Sequence, residues 1–144
     1  AWEHGFTDQE IYDWIEKNLK RYQKDGFGYF AVIEKSTGEL IGNIGLIKEE
    51  IKGKSELCLG YILAKRFWGK GYAREGAQAC MDYAFKYLIA DQVIADIRPE
   101  NTPSRLVADA LGMKQEGEFI KIYQHKEMPH LIYKKTRDDL ESIW

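Results

Sequence analysis

The 144-residue sequence predicts one α+β domain, a mixed but mostly antiparallel twisted sheet flanked by helices, with a single strand-helix-strand unit near its centre. Three observations carry that prediction. Apolar residues recur at helical spacing in two long stretches, they alternate with period two in several short ones, and glycine-bearing turns separate the two regimes. No internal repeat, low-complexity tract or interdomain linker interrupts the chain, so one domain over residues 1–144 is expected.

The elements follow in order. Thr7-Asp8-Gln9-Glu10 is a Thr-x-x-Glu capping box. Ile11, Trp14, Ile15, Leu19 and Tyr22 come next at helical spacing, and Gly26 stops the amphipathic helix they define. From Tyr29 the period changes, and residues 29–34 and 40–47 read as hairpin strands around Ser36-Thr37-Gly38. Residues 48–54, charged and holding Gly53, read as a loop. Residues 56–63 form a further strand, with Leu57, Leu59, Tyr61 and Leu63 on one face. Gly69-Lys70-Gly71 leads into a long helix whose buried stripe is Ala73, Ala77, Met81, Ala84, Phe85 and Leu88. Residues 93–97 are a short apolar strand. Pro99 and Pro103 bracket a break before a short helix over 104–110, closed by Gly112 and with Ser104 in position to cap its start. Two last strands, 118–124 and 131–135, flank a polar turn. Trp14, Tyr22, Phe30 and Phe85 fall on periodic faces expected to be core, and Lys134, Lys135 and Arg137 read as a solvated basic edge.

Composition narrows the function classes. With 21 basic and 23 acidic residues the net charge is -2, which lacks the general footprint of a nucleic-acid binder. No apolar run approaches the ~18 residues of a membrane span, and Cys58 and Cys80 both sit in apolar stretches, as free thiols of a reducing compartment do. A cytoplasmic protein is the expectation.

The most informative segment is Arg66-Phe67-Trp68-Gly69-Lys70-Gly71-Tyr72-Ala73. Glycines two apart permit backbone angles that side chains forbid, and the helix behind them turns its free N–H groups and positive dipole end toward the turn. Such a place suits a phosphate or pyrophosphate, with Lys70 and Arg74 adding charge, although a Gly-x-Gly turn is also a common tight connection. No Ser or Thr follows Gly-Lys-Gly, so this is not a P-loop, and Arg74 stands where a dinucleotide fingerprint needs its third glycine.

The stretch from Leu59 to Gly76 resembles the acyl-coenzyme A signature of the GNAT acetyltransferase superfamily, carried here by Arg66, Gly69 and Gly71. Leu59-Gly60-Tyr61 with residues 68–73 is similar to the branch of ribosomal-protein N-terminal acetyltransferases and polyamine acetyltransferases. Asn101-Thr102-Pro103-Ser104 and Leu111-Gly112-Met113 resemble that branch's second signature. The resemblance covers about residues 7–133. It implies a sheet split between its fourth and fifth strands, counting a first strand and helix before Thr7 that this chain, which begins at Ala1, lacks; an N-terminally incomplete domain is therefore expected. It implies acetyl-CoA as co-substrate, with Ile62 and Leu63 pairing the pantetheine arm and Trp68, Gly69, Lys70, Gly71, Tyr72 and Ala73 holding the pyrophosphate beside Arg66.

Transfer to an amine needs a neutral nitrogen, and an α-amine (pKa ~7.7–8.0) is already partly neutral where a lysine (~10.4) is not, so a modest base suffices. In the branch the chain resembles, the serine of the second signature lies near the cofactor sulfur, which makes Ser104 the donor to the departing thiolate and Asn101 a ligand of the pantetheine arm. The plainer alternatives are a helix cap for Ser104 and a turn residue for Asn101. Other superfamily members use a tyrosine seven residues after that asparagine, and Ala108 stands there, in keeping with the serine branch. The base is open. Relatives often carry a carboxylate where this chain has Cys58; Glu56, two residues back on the same face, is one candidate, against a solvated charge as the plainer reading. Tyr123 stands where part of the branch has a catalytic glutamate, and His125 sits in a polar turn. The expected activity is N-acetyl transfer from acetyl-CoA to a primary amine by direct attack in a ternary complex, a protein N-terminus ahead of a polyamine. No metal, nucleic-acid or membrane partner is expected, and oligomeric state is open, a homodimer included. A non-catalytic acyl-CoA-binding module of the same fold is the alternative.

Overall fold

The computed structural model describes residues 7–123 and 125–138, and the side chain of Tyr123 lies outside what is described. In chain order the elements are α1 (Asp8–Asp25), β1 (Tyr29–Ile33), β2 (Leu40–Ile51), β3 (Lys54–Leu63), a 3-10 turn (Lys65–Phe67), α2 (Tyr72–Lys86), β4 (Gln92–Ile97), α3 (Thr102–Ala110), β5 (Lys114–Tyr123) and β6 (Lys126–Thr136). The capping box forms in both directions, Glu10 N–H to Thr7 Oγ1 at 3.1 Å and Thr7 N–H to Glu10 Oε1 at 3.0 Å, and Gly26 closes α1 in the left-handed region.

The six strands lie in the order β1-β2-β3-β4-β6-β5. Every neighbouring pair is antiparallel except β3 and β4, the strands that α2 connects, and these share the single register pair Cys58↔Ile94. Beyond Cys58 the two strands diverge, and the sheet opens as a V. This is the expected mixed α+β sheet, split where the strand-helix-strand unit sits.

One face packs on α2 and α3 through Leu46, Leu59, Met81, Phe85, Val93 and Leu131, with Ala77 and Ala84 fully buried so that α2 approaches closely. The other carries a smaller cluster of Ile47, Ile51, Cys58, Ile94 and Ile132, with Tyr29 and Phe119 laid against it.

Four local expectations change. Residues 48–54 are not a loop: β2 continues to Ile51, which is buried, and the connection shrinks to Lys52-Gly53, both at positive φ (52° and 78°), a two-residue hairpin turn. Ser104 does not cap α3; Asn101 does, its side chain accepting the Ser104 N–H at 3.3 Å. Trp14 and Phe30 are 39% and 50% exposed, because α1 docks through a buried Asn18 rather than an apolar stripe. The basic end is no solvated edge, since β6 lies inside the sheet. Lys135 Nζ donates to Leu111 O (2.8 Å) and an Arg137 N–H to Phe85 O (2.6 Å), cations meeting the carbonyl ends of α3 and α2.

Candidate functional site

Divergence of β3 from β4 creates a cleft of about 440 Å³, floored by Leu59, Gly60 and Ile62 on one side and by Ala95, Asp96 and Ile97 on the other. Ile62, half-exposed, points into it, whereas Leu63 turns the other way into a cluster with Ile41, Ile44 and Phe67. Past its pair with Ile94, β3 has no strand partner on this side among the described residues, so its edge can receive an extended chain.

Beyond the cleft lies the glycine turn. Gly69 and Gly71 adopt φ of 78° and 81°, and a Cβ on either would meet no atom within 4 Å, so the turn opens outward as a shallow cradle. Gly71 begins α2 without a side-chain cap, which leaves the first N–H groups of that helix facing the cradle. The side chains around it brace the turn. Trp68 Nε1–H donates to Leu63 O at 2.9 Å, and Tyr72 O–H donates to Glu34 Oε2 at 2.7 Å. Arg66 pairs with Glu39 and, like Lys70, lies over the buried Phe67 ring, their charged groups 4.8 and 5.4 Å from its centre. Ala73 packs against the Phe67 cluster. The Tyr72 and Thr37 hydroxyls hold the Glu34 carboxyl below its ordinary range. The open backbone and free helix N–H groups fit a pyrophosphate, and the β3 edge fits the arm that would follow it.

Asn101 and Ser104 both line the cleft on the β4 side. Tyr61 O–H donates to the Ser104 carbonyl at 2.6 Å and ties β3 to the first turn of α3; burial, then Tyr133, pushes that phenol above its ordinary value and keeps it a donor. The Ser104 hydroxyl makes no hydrogen bond among the described residues and is available to a ligand. Of the sequence-predicted residues, Ile62, Asn101 and Ser104 thus meet in the cleft, and Leu63, Arg66, Trp68, Gly69, Lys70, Gly71, Tyr72 and Ala73 build the adjoining turn. Glu56 does not line the cleft. It shares the face of Cys58, but its Oε2 accepts from Gln92 Nε2 at 2.7 Å. The Tyr123 side chain lies outside the described residues, and His125 is an exposed turn residue at φ 64°.

The opposite end of the cleft holds groups that sequence alone did not single out. Lys121 Nζ, on β5, lies 2.7 Å from Glu49 Oε1 and also pairs with Asp96, bridging β2 to β4. Burial opposes that ammonium, yet the two carboxylates outweigh it and push the amine above its ordinary value. Cys58 packs among the same groups, and burial with Asp96 and Glu49 pushes its thiol up, so it stays neutral and is no nucleophile. Tyr29 stands over Gly60, where a Cβ would fall 2.6 Å from its hydroxyl oxygen. Burial, Asp96 and Glu49 push the phenol up to about 12. Trp14 stacks on Tyr29 at 6.1 Å and 14°. His130 Nδ1 lies 2.9 Å from Met128 O; a carbonyl only accepts, so Nδ1 carries the proton and the Nε2 of a neutral ring is an acceptor. Reading residues 48–54 as a loop hides the alternation of Ile47, Glu49 and Ile51 that aims Glu49 at this face, and only the folded sheet brings its counter-ion, Lys121 of the distant β5, to it.

The description "Acetyltransferase (GNAT) domain" matches residues 1–114. The uncharacterized protein YkkB of Bacillus subtilis (strain 168) is 32% identical over 127 residues, covering 88% of this chain and 70% of that protein. The [ribosomal protein uS5]-alanine N-acetyltransferase of Escherichia coli (strain K12) is 26% identical over 101 residues, covering 69% and 52%. The solved acetyltransferase (GNAT family) from Bacillus anthracis superposes with a TM-score of 0.75 at 28% identity, covering 94% of this chain and 78% of that one. The chain spans between 49% and 70% of the length of three curated relatives it matches.

Proposed function

Because the chain belongs to the GNAT acetyltransferase family, we propose that it transfers an acetyl group from acetyl-CoA to a primary amine, by direct attack with both substrates bound. The observation that carries this reading is the continuity of one unpaired strand edge, β3 past Cys58, with a cradle of two left-handed glycines at an uncapped helix start. The pantetheine arm would lie along Ile62 and Leu63 with Asn101 beside it, and the pyrophosphate over Gly69 and Gly71. Acetyl-CoA supplies the thioester; the chain supplies orientation and protons.

Ser104 would donate to the sulfur as the thioester breaks, its hydroxyl being without another partner and its backbone held at both ends, N–H by Asn101 and C=O by Tyr61. The Tyr29 phenol, protonated at any physiological pH, stands over Gly60 as a second donor. A covalent acetyl-cysteine is disfavoured because the Cys58 thiol is held neutral. An α-amine is partly neutral at pH 7 and loses its proton to a modest acceptor, such as His130 Nε2, directly or through water. That requirement favours a protein N-terminus over a polyamine as acceptor, and the similarity to an alanine N-acetyltransferase supports the same preference.

Release of free CoA from acetyl-CoA on a panel of amines tests the reading, with mass analysis of the acceptor. Tight CoA binding in calorimetry without turnover on any amine would replace it by a non-catalytic acyl-CoA-binding module.

A further inference from the structure

The charge lining the cleft describes its acceptor. Glu49 and Asp96 form the carboxylate pair that an incoming polycation would seek, and Lys121 already stands between them, so the triplet keeps one net negative charge, enough for one ammonium. In the same cleft, α1 presents Lys17 and Arg21, one helical turn apart, and neither has an ion-pair partner among the described residues. Arg21 reaches close enough to the Tyr29 hydroxyl to oppose the upward push that Asp96 and Glu49 exert on it, which places its charge at the acceptor end rather than over the glycine turn. Trp14, one turn before Asn18, stacks on Tyr29, and both line the same cleft as these cations and the acidic pair.

We propose that the acceptor is an α-amine with a carboxylate close by, the N-terminus of an acidic peptide, whose amine sits by the Glu49–Lys121–Asp96 triplet and whose carboxylate is received by Lys17 and Arg21. Polyamines are poor acceptors on this arrangement, because their further positive charges meet Lys17, Arg21 and Lys121 with a single net negative charge to offset them. The inference rests on the acetyl-transfer reading and adds the charge of the acceptor to it.

The test compares kcat/KM, at low ionic strength, for short peptides with Asp or Glu at the second and third residues, the same peptides with Lys there, spermidine and free glutamate. The acidic peptides should exceed the basic ones by ~5–10-fold, the scale of one or two partly exposed ion pairs, and the ratio should shrink in ~0.5 M salt. Lys17→Glu with Arg21→Glu, both near the surface of α1, should invert the preference. Lys121→Met, which frees the acidic pair, should raise turnover of spermidine relative to the acidic peptide. Equal rates for acidic and basic peptides, spermidine as the best acceptor, or a preference untouched by the α1 reversal would overturn the proposal. Free glutamate outpacing every peptide would overturn its peptide half. If no amine is acetylated, transfer is refuted separately, and calorimetry of the same peptides on CoA-loaded protein still decides the charge preference as a ratio of affinities.

Discussion

Replacing Ser104 by alanine isolates one hydroxyl with little else disturbed. The contacts that position this residue use its backbone: the N–H accepted by Asn101 at 3.3 Å and the C=O receiving the Tyr61 hydroxyl at 2.6 Å. Both survive in Ser104→Ala. Ala108 on the same helix is fully buried and untouched, and alanine is a better helix former than serine by up to ~0.5 kcal/mol. The melting temperature should therefore hold within ~2 °C or rise. Loss of a donor aimed at a departing thiolate costs about 10-fold to 10³-fold in kcat, or ~1.4–4 kcal/mol of transition-state stabilisation, the lower end applying to a single contact with a diffuse sulfur charge. Affinity for acetyl-CoA should change little, because the interaction strengthens only as the thioester breaks. CoA release at saturating acetyl-CoA reads the first quantity and calorimetry the second. Asn101→Ala is the control, since it removes the actual cap and should cost ~0.5–2 kcal/mol of stability. A folded Ser104→Ala protein that turns over at the wild-type rate would refute the donor role.

Three further outcomes are expected. Gly71→Val should abolish CoA binding in calorimetry while the fold persists; φ is 81° there with nothing within 4 Å of a Cβ, so the cost is local backbone strain of ~1–2 kcal/mol and a branched side chain in the cradle, and unchanged affinity would remove the turn from the site. Glu56→Gln should keep the wild-type rate and pH–rate profile because its carboxylate is engaged by Gln92 outside the cleft, whereas His130→Gln should lower the rate and change that profile; the reverse pattern would make Glu56 the base. Tyr29→Phe should flatten the alkaline fall in stability. The phenol is raised from 10.0 to about 12, so the unfolded chain ionises first and native stability falls between about pH 10 and 12, by up to ~2.7 kcal/mol; melting curves of both proteins over that range that run parallel would contradict the burial of that hydroxyl.

What was legible in the sequence was local. The capping box, the Gly26 stop, the alternation from Leu57 to Leu63 and the Gly69–Gly71 turn each place their signal within a few residues, and each stands where the pattern puts it. The glycine turn and strand edge proposed to hold the cofactor are built from such segments, so these elements could be located in advance. The half proposed to receive the acceptor is built from register. Glu49, Asp96 and Lys121 are 47 and 25 residues apart, and nothing near any of them announces the others; they meet because β2, β4 and β5 present the same face. Glu56 illustrates the same limit from the other side. Alternation set its face correctly, but which pleat opens on the cleft depends on where β3 and β4 part, and they part at Cys58, one pleat beyond it.

The two halves are also held by different physics, and their failures should separate for that reason. The glycine turn rests on the buried apolar cluster of Ile41, Ile44, Leu63 and Phe67, which tolerates small adjustments because its attraction has no direction. The wall proposed to face the acceptor rests on α1, whose Ile11, Ile15 and Leu19 are 43–54% exposed and whose one buried side chain is Asn18. That amide receives the Tyr29 N–H at 2.9 Å and donates to the Tyr29 carbonyl at 2.8 Å, closing both main-chain groups of the residue that stands over Gly60. Trp14 and Arg21 lie one turn to either side of it. A hydrogen-bonded clamp fixes the orientation of a helix more sharply than it fixes the helix's free energy of docking, since each net bond contributes only ~1 kcal/mol while an orphaned buried partner costs ~1–3. Lesions in α1 should therefore appear first as altered acceptor choice with CoA affinity intact, and lesions around Phe67 as lost CoA affinity with acceptor choice intact.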